Sequence, residues 1–201
     1  EEGKYLPEIK KCDISSVKGS VIVKDFSKEK FKMNLKSNKV NVIKILPGGV
    51  VTAKDTAEIE LDANGEFVRN PEVDLVKEGA VALSVAHDSH NIIVVGVNDE
   101  EMEFAVNSLI EQEGGIVLVK EGKVIESMPM PIAGLMSDQS GEWVDQKLTD
   151  IHEKAYEELG ICGDVEPVMT LCFMSLAVIP EIKLTDMGLF DVTTFSFIPV
   201  E

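Results

Sequence analysis

Five consecutive residues concentrate the chemistry that this sequence can offer: His87, Asp88, Ser89, His90 and Asn91, within the run SVAHDSHNIIVVG. The chain has three histidines, and two of them stand three residues apart in this one turn. A neutral imidazole carries one donor and one acceptor nitrogen, and it exchanges a proton near neutral pH. His87 or His90 could therefore act as a general acid or base, with Asp88 orienting a ring; these three are the catalytic candidates. Ser89, His90 and Asn91 can each both donate and accept, which makes them candidates for reading the edge of a polar substrate. Asp, Ser and Asn also bond their own backbone in turns, so a purely structural polar turn accounts for the same residues equally well.

A metal site is the third reading. Histidines at i and i+3 on a tight turn could reach one ion, with Asp88 adding an oxygen. Catalytic zinc usually takes three protein ligands, however. The remaining histidine, His152, falls on a separate helical pattern and is expected at a surface or in packing. No metal ligand is assigned within this chain. The sequence has no phosphate-binding G-x-x-x-x-G-K-[ST], no G-x-G-x-x-G after a strand, no G-x-S-x-G elbow and no H-E-x-x-H. The deaminase pattern of H-x-E with P-C-x-x-C is also missing. Cys12, Cys162 and Cys172 stand apart with no C-x-x-C; Cys162 and Cys172 have no histidine nearby in sequence and are expected as buried small hydrophobes, not nucleophiles.

The elements that must position the turn follow from hydrophobic periodicity. Residues 80–86 (AVALSVA) and 92–97 (IIVVGV) are continuous apolar runs, as in strands covered on both faces. They place the polar turn at the ends of two buried strands, where open α/β sheets present ligand-contacting groups. Asn98 precedes a helical pattern over 99–112, with Glu101 in capping-box position and Gly114-Gly115 closing it. GIVLVKEGKVIESMPM then reads as strand, turn and strand. Ser140 opens a second helix over 141–159, ended by Gly160. Upstream, 19–26, 39–46 and 50–61 read as strands of a largely antiparallel portion.

The expected fold is mixed α/β (α+β): a β-rich portion over 15–77, then an α/β lobe over 78–201 whose two main helices cover a sheet. The chain carries 36 Asp and Glu against 19 Lys and Arg, a net charge of −17. Such a field repels phosphate backbones and anionic lipid surfaces, so no nucleic acid and no membrane partner is expected. The longest apolar run, Met169 to Pro180, is too short to span a bilayer. Three scattered cysteines and no visible leader point to a cytoplasmic setting.

The segments SVAHDSHNIIVVGVNDEEM, GGIVLVKEGKV, MPMPIAGLMSD, PVMTLCFMSLAVIPEIKLTD and GLFDV together resemble the C-terminal region of the microbial adenine deaminases, members of the amidohydrolase superfamily. The resemblance runs in order and spacing from about Val21 to Val192, with one break. It implies that these residues close a longer chain in which a metal-dependent barrel and a small β-sandwich come first, with residues 1–14 as the linker leaving them. It also implies hydrolysis of adenine to hypoxanthine and ammonia, in purine salvage or adenine catabolism. The divalent metal, manganese or iron, would sit in the barrel and not here, so this chain alone should be inactive. The implied partners are adenine, the chain's own barrel domain and further copies in a homo-oligomer. A non-catalytic scaffold or oligomerisation module packed on that barrel is the alternative. Where members of the family carry a longer segment, Lys77 here runs straight into Glu78. Either the loop has been shed or a mobile piece belongs between them, placed to act as a lid.

Overall fold

The computed structural model describes residues 12–201. The first strands are β1 (Lys39–Ile45) and β2 (Thr52–Glu58), an antiparallel hairpin in which Lys39 faces Glu58 and Ile45 faces Thr52. Two short strands, β3 (Glu60–Leu61) and β4 (Phe67–Val68), pair antiparallel beyond it. The strand expected over 19–26 does not form; that stretch is irregular and is followed by one 3-10 turn at Lys28–Lys30. Its apolar residues find no neighbouring strand: Ile22 and Val23 stay exposed. A β-branched run without a partner has nowhere to place its backbone hydrogen bonds. Most of the expected 1–14 linker lies outside the described residues.

The lobe that follows is built on β5 (Ala80–Leu83), β6 (Ile93–Gly96), helix α1 (Asp99–Glu111), β7 (Gly115–Lys120), β8 (Lys123–Pro129) and helix α2 (Gly141–Glu157). The strands form one sheet in the order β6-β5-β7-β8. Each neighbouring pair is antiparallel, so α1 carries the chain from β6 across β5 to β7.

Period-two alternation sorts the side chains of β5 and β7 to two faces. Ala80, Ala82, Val117 and Val119 pack with Ala105, Val106 and Leu109 of α1. Val81, Leu83, Ile116 and Leu118 pack on the opposite face with Met128, Ile151, Ala155 and Leu159. The small alanines of β5 admit α1 closely, while the larger residues fill the α2 side. The result is a helix–sheet–helix sandwich. Full burial of each Leu, Ile or Val is worth about 1.5–3 kcal/mol, so the α2 face alone holds most of the lobe's cohesion.

Both helices start where expected. Asn98 Oδ1 accepts from Glu101 N at 2.8 Å, and Ser140 Oγ accepts from Trp143 N at 3.3 Å. The capping box at α1 is only half made, because Glu101 Oε1 turns away to accept from Gly122 N at 3.0 Å. A third helix, α3 (Pro167–Cys172), runs into the start of the apolar run, which carried no helical expectation. Proline at its first turn and the Glu166 carboxylate, which accepts from Met169 N, start it. The chain closes with a meander of β9 (Ile182–Thr185), β10 (Gly188–Asp191) and β11 (Ser196–Phe197). This meander joins the β1–β2 hairpin: Thr52 N donates to Pro180 O, Glu181 N to Thr52 O, and Asn41 N to Val200 O at 2.7 Å.

Candidate functional site

Leu83 ends β5 directly opposite Ile93 of β6, so the five polar residues lie in the loop of an antiparallel hairpin. This corrects the expected setting. The crevice outside the carboxyl ends of parallel strands needs crossovers in one direction, and β5 and β6 run in opposite ones. What positions the turn is its own backbone and the exit of α3.

Within the loop, His90 N donates to Ala86 O at 2.7 Å and Ser89 N to His87 O at 2.9 Å. Asp88 and His90 both adopt the left-handed region, at φ 64° and 51°. A non-glycine residue there costs free energy, least for types such as Asp and His. The compensating contacts come from residues 172–175. His87 N donates to Cys172 O at 2.7 Å. The His87 ring stacks on Phe173 with centroids 4.8 Å apart and planes 25° from parallel. The hydroxyls of Ser89 and Ser175 lie 3.1 Å apart. Phe173 and Ser175 went unnoticed in the sequence because they sit in an apolar run whose short helix has no visible periodicity.

The five side chains are all exposed. His87 Nδ1 lies 3.2 Å from Asp88 Oδ1, which orients the ring, and Nε2 has no partner among the described residues. His90 and Asn91 side chains have no partner among the described residues, and no bond links His87 to His90. The turn is therefore a pre-shaped rim of outward donors and acceptors, not an assembled acid–base pair.

The other titratable groups are structural. Cys172 is buried as expected, whereas Cys162 is exposed; burial and the nearby Glu166 carboxylate push the Cys172 thiol up to about 11, so it is no nucleophile. His152 sits between two acceptors, Leu148 O at 2.5 Å from Nδ1 and the Glu166 carboxylate at Nε2, and fastens α2 to the start of α3. Asp191 is buried, and the Thr193 hydroxyl and the Lys54 ammonium hold its carboxyl well below the usual carboxylate range. Its Oδ2 meets Lys54 Nζ at 3.0 Å, tying β10 to β2. Lys183 is fully buried and donates to Val50 O at 2.9 Å. Among the described residues no three His, Cys, Asp or Glu side chains converge. No third such side chain joins His87 and Asp88 among the described residues.

Residues 67–196 match the family model described as the adenine deaminase C-terminal domain. This chain belongs to the adenine deaminase C-terminal domain family. A protein named adenine deaminase 2 from Desulfotalea psychrophila is 60% identical over all of this chain and 39% of its own length. An adenine deaminase from Ligilactobacillus salivarius is 42% identical over 98% of the chain and 38% of its length. A third, adenine deaminase 2 from Carboxydothermus hydrogenoformans, is 38% identical over the whole chain. The chain thus spans about two fifths of the length of the curated relatives it matches. The span matched in the first relative is 225 residues against the 201 here, so that relative carries residues with no counterpart in this chain.

The Lys77–Glu78 junction, where the family's longer segment was expected, is closed and pinned. Lys77 N and Glu78 N both donate to Leu159 O, at 2.8 and 3.3 Å. It lies at the start of β5, whereas the polar turn follows its end. A segment inserted there would leave the fold one strand length, about 13 Å for four residues, from the turn. No helix of the described residues is long and apolar enough to cross a membrane.

Proposed function

We propose that these residues form the closing section of a hydrolase that removes the exocyclic amino group of adenine with water, giving hypoxanthine and ammonia. The observation that carries this reading is the match of the whole chain to proteins named adenine deaminase, at up to 60% identity. In this reading the 87–91 turn lines the mouth of an active centre whose metal, manganese or iron, is held elsewhere in the parent. The chain's own contribution is recognition. His90, Ser89 and Asn91 offer donors and acceptors to the purine edge, and His87, stacked on Phe173, presents Nε2 to substrate or water. The parent would work in the cytoplasm in purine salvage or catabolism, as a homo-oligomer.

The test is ammonia release from adenine by the full-length parent carrying His87→Asn or His90→Asn. Loss of a proton-transfer group costs about 10²–10⁴-fold, and loss of one hydrogen bond to substrate about tenfold. We expect kcat/KM to fall at least tenfold in one of the two, with metal content unchanged, and the 201-residue chain alone to be silent. Unchanged kcat/KM in both variants makes the turn structural, and turnover by the isolated chain overturns the whole reading.

A further inference from the structure

Burial is distributed unevenly along this chain. Between residues 12 and 75 only Val40 and Thr52 are buried, whereas the lobe from 79 onward buries its core on both faces of a sheet. Yet the first stretch is not polar. Phe67 and Val68 of β4 are 47% and 37% exposed, and Val73 is 76% exposed. Together with Val42, Ile59 and Cys162 they line an open cavity of about 1060 Å³ between the β1–β2 hairpin and the 67–75 segment. The lining is apolar in the larger part, with charged residues such as Glu58, Glu60, Arg69 and Asp74 among it, and exposed apolar surface of this extent is a binding surface or a liability. An isolated two-stranded hairpin is marginal in water, and a stretch of about 60 residues without a core does not hold itself together.

The hairpin also keeps an open edge. Within β1, Lys39 N donates to the Ser37 hydroxyl and Asn41 N to Val200 O. No described backbone group takes the outward positions of Ile43 and Ile45. The surface therefore offers apolar side chains together with unpaired strand groups, which is what an added strand or sheet edge satisfies.

We propose that this face, the hollow bounded by Val42, Phe67, Val73 and Cys162 with the adjoining edge of β1, is where the remainder of the parent protein packs, through an apolar β element. The length of the relatives argues for that occupant over a second copy or a separate protein. About three fifths of each matched relative lies outside the matched span, tethered to it and present at high effective concentration. This inference rests on the parent being a longer protein, as the proposed function holds, but not on the role given to the 87–91 turn.

The native Cys162 thiol, exposed on the rim of the hollow, is the probe. Full-length parent is treated with a small maleimide, and the rate at Cys162 is read by peptide mass spectrometry, folded and in urea. A Val73→Cys variant supplies a second probe at a position exposed enough to leave the fold intact. The expected result is at least tenfold slower modification at both sites in the folded parent, unchanged on dilution to the lowest assayable concentration. Modification at the unfolded rate overturns the proposal. Protection lost on dilution assigns the surface to a second copy and also overturns it. Slow modification alongside unaltered kcat/KM in the His87 and His90 variants would uphold this interface while removing the function proposed for the turn.

Discussion

Ser84 stands directly after β5, with Val85 and Ala86 between it and the polar turn, and its hydroxyl ties three segments together. It donates to Gly134 O at 2.5 Å and accepts from Gly115 N at 2.8 Å, in a residue only 4% exposed. Gly114 explains why nothing larger fits beside it: a Cβ there would stand 2.6 Å from Gly134 Cα and 2.8 Å from Ser84 Oγ. Ser84→Ala keeps the methylene and opens little space, but it strands one buried N–H and one buried C=O. Each costs about 1–3 kcal/mol when left unpaired, and partial relaxation brings the expected total to about 3 kcal/mol. For a chain of this size that corresponds to a fall in Tm of roughly 6–12 °C. The assay is urea or thermal unfolding followed by Trp143, the only tryptophan, which packs on the α2-side core and so reports the lobe. A loss below about 0.5 kcal/mol, the range of ordinary surface changes, would refute the view that this hydroxyl is a joint of the lobe.

Phe173→Ala removes the ring beneath His87; aromatic stacking is worth about 0.5–1.5 kcal/mol, so kcat/KM of the full-length parent should fall about 2–12-fold with its Tm lowered as well. Phe173→Tyr should keep the stack and the rate. Lys183→Met should raise Tm, because a buried ammonium with one carbonyl acceptor is replaced by an apolar chain of similar length. Burial lowers the Lys183 titration point, so the unfolded chain binds more protons; wild-type stability should climb as pH rises toward the ordinary lysine range, and the Met variant should lose that slope in urea titrations. Asp191 is depressed instead, so its contribution is present above the unfolded carboxylate range and fades as pH falls through it. The gap between the urea midpoints of wild type and Asp191→Asn should be full at pH 7 and narrow as pH falls below the unfolded carboxylate range toward the lower folded value, and a constant gap would contradict the assigned ion pair.

Much of the lobe could be read from sequence because its signals are local. The apolar runs of β5, β6 and β7, the caps Asn98 and Ser140, and the stops at Gly114 and Gly160 each lie within a few residues of what they control. The same holds for the five polar residues, whose types alone mark them. What escaped was non-local or too short to be periodic. The partners of His87 lie at 172–175, on a six-residue helix started by a proline and a glutamate. The run of 19–26 has strand composition, but its fate depended on whether another strand lay beside it. The direction of β6 relative to β5 turned on a loop whose length fits a hairpin, although its buried strands look like those of a parallel sheet.

The bond from Asn41 to the backbone at Val200, and the side-chain bond from Asn41 to Pro199, 158 positions away, set an order on assembly. At roughly 5–20 residues per second of synthesis, the edge of the first hairpin stays bare for roughly ten to thirty seconds before its closing segment exists. The lobe's own hairpins are complete well before then. A nascent chain of this protein therefore carries an adhesive strand edge during translation, and a ribosome that stalls near residue 190 would release a product whose compact half is finished and whose first half is a template for aggregation.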